Sequence, residues 1–122
     1  MRKKEMQKQK ISLVEKQLLS LFFCGHYIST KDIVDIGKKM KIELDFKSRK
    51  IILQKLFIGA KKEDKAQKLA DLFCDLLDRR NKELIKYIEL YPSSKDIFQI
   101  HIQKANSTKL LLQQESRRNP YA

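Results

Sequence analysis

The chain is poor in the residues that build turns and staples. Its 122 residues include three glycines, two prolines, two cysteines and no tryptophan. So few turn residues exclude an all-β sandwich or barrel, whose short strands need many Gly- and Pro-rich connections. Two cysteines, Cys24 and Cys74, make no disulfide framework in a chain rich in Lys, Ile and Leu, which points to a reducing, cytoplasmic setting. No apolar run approaches the ~20 residues that span a bilayer. The basic start at Arg2, Lys3 and Lys4 leads into polar residues, which argues against a secretion signal. Acids are scarce too: 15 Asp and Glu stand against 27 Lys and Arg, for a net charge of +12.

The same scarcities bear on chemistry. Gly25, Gly37 and Gly59 are isolated, so no glycine loop cradles phosphate. A zinc site needs four ligands, and the candidates Cys24, His26, Cys74 and His101 lack a finger spacing. Cys24 and Cys74 sit among Phe and Leu and read as small core residues. A Cys74–His101 nucleophile pair has no local signature. Asp71, Asp75 and Asp78 share one helix face, but Lys68, Arg79 and Lys82 lie within a turn of them, as on an ion-paired surface. No catalytic residue, metal or cofactor is expected, and the protein reads as a non-enzyme.

What is present is helical periodicity. Ile11, Val14, Leu18, Leu21 and Phe22 predict a helix over 3–24, stopped at Gly25. Ser29 and Asp32 form a capping pair for a helix of roughly ten residues carrying Ile33, Ile36 and Met40. Residues 41–47 then alternate polar and apolar. They predict a short strand, or else a cap at Asp45 for the next helix, and 97–103 alternate in the same way. A further helix runs from about Lys47 to Gly59. Residues 63–91 carry a long apolar stripe that weakens at 78–82, where a kink or hairpin is expected, and Tyr91-Pro92 ends it. Ser93 to Asp96 signal another cap, opening a helix to Ala105 that resumes from Ser107 to Glu115. The expectation is an all-α, single-domain bundle of about five helices over 1–116, with a basic tail at 117–122.

The charge is local. Residues 1–20 and 21–60 each carry a net +4 and residues 92–122 carry +3, whereas the long 61–91 stretch carries only +1. Unbalanced basic segments attract polyanions. Lys38, Lys39, Lys41, Lys47, Arg49, Lys50 and Lys55 are therefore the candidate nucleic-acid contacts. Two helices around residues 30–58 have the outline of a helix-turn-helix pair, and a strand at 41–47 before two helices has the order of a ribbon-helix-helix unit. The stretch Arg49-Lys50-Ile51-Ile52-Leu53-Gln54-Lys55-Leu56-Phe57, preceded by Asp45 and followed by a charged turn and a leucine-rich helix, resembles the signature of small plasmid mobilisation accessory proteins. That resemblance implies a DNA-bound helper of a relaxase, with Arg49, Lys50 and Lys55 on phosphates. The leading expectation is a basic helical protein that binds nucleic acid, DNA before RNA, in DNA mobilisation or transcriptional control. The alternative is a helical adaptor or homodimer that docks through the 63–91 helix. A membrane-surface role for residues 1–24 comes last.

Overall fold

The computed structural model describes residues 13–21, 26–45 and 47–116. Within them lie five helices and no strand: α1 (Leu13–Ser20), α2 (Thr30–Lys39), α3 (Arg49–Lys62), α4 (Ala66–Leu90) and α5 (Lys95–Ser116). The all-α expectation holds. Of the expected first helix, residues 3–12 and 22–24 fall outside the described residues, as do the stop at Gly25 and the tail at 117–122. No described helix is long and apolar enough to cross a membrane.

α4 and α5 form an antiparallel hairpin around a 3₁₀ turn at Pro92–Ser94. Their pairing runs in opposite order along the two helices: Gln67 bonds Ser116, Asp71 bonds Gln113, Asp78 pairs with Lys109 and Asn81 bonds Asn106. α1 lies antiparallel to α5, with Lys104 Nζ donating to Ser20 O at 3.2 Å and Thr108 next to Gln17. One core joins all five helices, with Leu18, Ile33, Ile52, Leu53, Leu56, Phe73 and Leu77 among its most enclosed members. Burying each such side chain is worth about 1.5–3 kcal/mol.

α2 starts as its sequence predicts. Ser29 Oγ accepts the Asp32 N–H at 3.1 Å, and the Asp32 carboxylate accepts the Ser29 N–H at 2.9 Å. Arg80 of α4 then clamps this cap, bonding Asp32 at 3.0 Å and the Tyr27 carbonyl at 2.7 Å.

Several boundaries differ from expectation. Among the described residues of 41–47 there is no strand. Ile42 and Leu44 turn inward while Lys41, Glu43, Asp45 and Lys47 are exposed, so the alternation reports facing correctly but finds no ladder partner. The segment instead runs back along α2, so tightly that a Cβ on Gly37 would lie 2.9 Å from the Ile42 carbonyl and 2.8 Å from Leu44. Gly37 therefore permits this crossing; any larger residue would push the segment off. α3 passes through Gly59 to Lys62, because Gly59 serves as a seat for Ile42 and is not a stop. Its N-cap is Ser48, not Asp45.

α4 is unbroken through 78–82, since Arg80 and Asn81 there bond other elements instead of interrupting the helix. The 97–103 alternation lies inside α5, which also runs continuously through 105–107. Ser94 Oγ bonds back to the Tyr91 carbonyl at 2.7 Å and does not cap α5.

Candidate nucleic-acid interface

α3 has a division of labour that its sequence sets directly. Ile52, Leu53, Leu56 and Ala60 are buried, and Lys50, Ile51, Lys55, Ile58, Lys61 and Lys62 are exposed. At about 100° per residue, Lys50 and Lys61 line one flank of the exposed arc and Lys55 and Lys62 the other. Ile51 and Ile58 form the ridge between them. The helix carries five basic residues and no acid. Its first turn is unusual, because Arg49 and Lys50 stand where the helix dipole disfavours cations by about 0.3–1 kcal/mol each.

Arg49 has a structural role that accounts for its place. Its Nε donates to the Ile28 carbonyl at 2.7 Å, and its guanidinium lies 4.3 Å from the centre of the Tyr27 ring. One guanidinium nitrogen is buried without a partner among the described residues. This side chain ties the start of α3 to the loop before α2, across 21 residues of sequence. Lys50, beside it, is exposed and has no such contact.

The seven sequence candidates fall into two groups. Lys38, Lys39 and Lys41 lie where α2 ends, and Lys47, Arg49 and Lys50 lie where α3 begins, with Lys55 in the middle of α3. α3 starts beside the start of α2 (Arg49 to Ile28) and passes beside its end (Gly59 under Ile42). The return segment spans the interval between the two groups, with exposed Glu43 and Asp45 on it. The connection from α2 to α3 is therefore a nine-residue crossover, residues 40–48, and lacks the tight turn of a helix-turn-helix pair. Except for Arg49, the candidates make no side-chain hydrogen bond or ion pair among the described residues.

The sequence reading passed over Lys61 and Lys62, which extend the same face and complement the C-terminal end of the α3 dipole. Their signal was the run Lys61-Lys62 directly after the apolar stripe. Lys65 belongs to the same corner but is engaged, bonding the Met40 carbonyl at 3.2 Å and pairing with Glu63 at 3.0 Å.

Other polar clusters are occupied by structural work. Asp78 pairs with Lys109, and Asp71 accepts from Gln67 at 3.0 Å. No group of metal-ligating side chains occurs among the described residues. Cys74 is a free, buried thiol; burial pushes its pKa up, against the hydrogen bond from Gln113. An open groove of about 970 Å³ between α2 and α4 mixes Asp32, Asp35 and Asp75 with Lys39, Arg79 and Lys82.

His26 is fully enclosed, its Nε2 2.6 Å from Asn81 Oδ1, and Asn81 in turn donates to Asn106 at 3.1 Å. Burial lowers the His26 pKa, the Asn81 bond opposes this, and the positive fields of His101 and Arg80 add to the lowering. No family model, curated protein or solved structure matches the chain.

Proposed function

We propose that the protein is a non-enzymatic nucleic-acid-binding protein that grips the phosphate backbone with the exposed face of α3 and the lysines at the end of α2. The observation that carries this reading is the charge of α3: five basic residues, no acid, and lysines left unpaired on its open face. Lysines that compensated neighbouring acids would be paired, and these are available to a polyanion. The ridge of Ile51 and Ile58 between lysine flanks suits a groove, where cations hold phosphates and apolar side chains meet thymine methyl groups. DNA is the favoured partner for that reason. The likeness of residues 49–57 to mobilisation accessory proteins supports the same choice, with a role beside a relaxase or in transcriptional control. A free thiol at Cys74 suits the cytoplasm.

The test is a salt titration of binding to duplex DNA, single-stranded DNA and RNA in parallel. Lys38, Lys39, Lys41, Lys47, Lys50 and Lys55 are the six free sequence candidates, so log affinity should fall against log salt with a slope of about −5 on duplex DNA, and more steeply where Lys61 and Lys62 also meet phosphates. Failure to retain any of the three at low salt would sink the proposal.

A further inference from the structure

The far end of the α4–α5 hairpin is not part of the core. No residue from 85 to 104 is buried. Leu90 is 73% exposed, Ile100 64% and Tyr91 57%, and Ile85, Tyr87 and Ile97 are open as well. Tyr87 stands at the centre of an aromatic group, 5.4 Å from the Tyr91 ring and 5.9 Å from Phe98 in an edge-to-face contact. A cluster of this size on a helical tip is far more apolar than a solvated hairpin end requires.

We infer that this tip is the docking surface for a second copy of the same chain, hairpin against hairpin about a two-fold axis, so that four helix segments enclose the aromatic group and the exposed leucine and isoleucines.

Charge singles out the second copy. Two molecules of net charge +12 repel wherever their basic surfaces meet. Residues 85–104 carry three cations (Lys86, Lys95 and Lys104) and two anions (Glu89 and Asp96), so the tip is nearly neutral. The exposed pairs Lys86/Glu89 and Lys95/Asp96 also make the surface self-complementary: under a two-fold, a cation of one copy can face an anion of the other. A nucleic acid finds an excess of only one cation here, which separates this surface from the face of α3.

Sedimentation of the full chain over a concentration series, at low and moderate salt, tests this. A concentration-dependent dimer is expected. Leu90→Glu and Ile100→Glu replace open side chains, so each should keep its helix content and melting temperature while weakening the dimer about 30-fold or more. Lysine cross-linking of mixed isotope-labelled and unlabelled copies gives an independent reading that needs no variant, with links between Lys86 and Lys95 of different copies expected. A chain that stays monomeric into the hundreds of micromolar overturns the inference. So does a dimer that both glutamate variants leave intact, or one whose cross-links between copies join only Lys50, Lys55 and Lys62.

Discussion

The outer face of α3 and the tip of the α4–α5 hairpin expose the same kind of apolar side chain in opposite electrical surroundings. Ile51 and Ile58 sit among five basic residues with no acid in the helix, whereas Ile85, Ile97 and Ile100 sit among cations and anions in near balance. Hydrophobic burial is non-directional, so isoleucine by itself does not choose a partner. The charge around it does. A cationic rim favours a polyanion and repels a second +12 chain, and a balanced rim permits that chain to approach.

Salt should separate the two surfaces most sharply. Raising it from 50 to 200 mM should weaken duplex DNA binding by about 10³-fold if six lysines meet phosphates. The same change should leave self-association unchanged or strengthen it, because screening removes the repulsion between copies. Sedimentation and DNA titration on one sample at both salts check this. If both associations weaken in parallel, the comparison fails, and self-association belongs to the basic face too.

Charge removal should sharpen it next. Lys50→Ala and Lys55→Ala should each reduce the salt slope by about 1 on a duplex too short for two copies. Leu90→Glu on that duplex should leave the slope where it was.

Arg49 and Lys50 are adjacent, and should divide stability from binding. Arg49→Ala removes a charged hydrogen bond and a cation–π contact, and also frees a buried unpartnered nitrogen, for a net loss of about 1–2 kcal/mol in urea unfolding. Its effect on the salt slope should be small. Lys50→Ala should do the reverse. An Arg49→Ala protein of unchanged stability would mean that the Tyr27 and Ile28 contacts no more than offset the cost of the buried nitrogen.

This pair also shows what was legible in the sequence. The Ser29–Asp32 cap, the long helix and the basic character of α3 rest on neighbours a few residues apart, and they could be read directly. Arg49 could not be told from Lys50, because its partner lies 21 residues away. Asn81 looked like a break in the α4 stripe, when it is buried against His26 and Asn106 from two other parts of the chain. The false strand at 97–103 has a different cause. α5 buries only Ala105, Thr108 and Leu112, so Phe98, Ile100 and Ile102 were never arranged to face this core. Phe98 packs instead on Tyr87 within the hairpin, and a period-two pattern in three residues does not distinguish that contact from a strand face.

A smaller effect concerns His26, which bonds Asn81 near the last buried turn of the hairpin. The fold keeps its imidazole below the ordinary pKa of 6.5. As pH falls from about 6.5, the unfolded chain takes up a proton that the folded chain refuses, so stability should decline until His26 protonates in the fold as well. Urea unfolding between pH 7.5 and 5 should show this decline, and His26→Gln should flatten it. An unaltered slope in that variant would assign the pH dependence elsewhere. Asp32 acts only in stronger acid: burial raises its pKa, but the bonds from Ser29 and Arg80 outweigh it and hold the carboxyl below 3.8.

The smallest expected effect decides what Lys41 is for. Lys41 and Asp64 occupy equivalent turns after α2 and α3, both left-handed, with φ of 60° and 57°. A non-glycine residue there costs about 1–2 kcal/mol, which glycine relieves while losing up to about 1 kcal/mol to unfolded-chain entropy. Lys41→Gly and Asp64→Gly should therefore each stabilise by roughly 0.5 kcal/mol, near the limit of urea unfolding. Binding tells them apart: Lys41→Gly should cost about 1 in salt slope, and Asp64→Gly, which removes an acid from the basic corner, should tighten binding slightly. If Lys41→Gly leaves the slope intact, Lys41 only closes the turn after α2 and drops out of the interface.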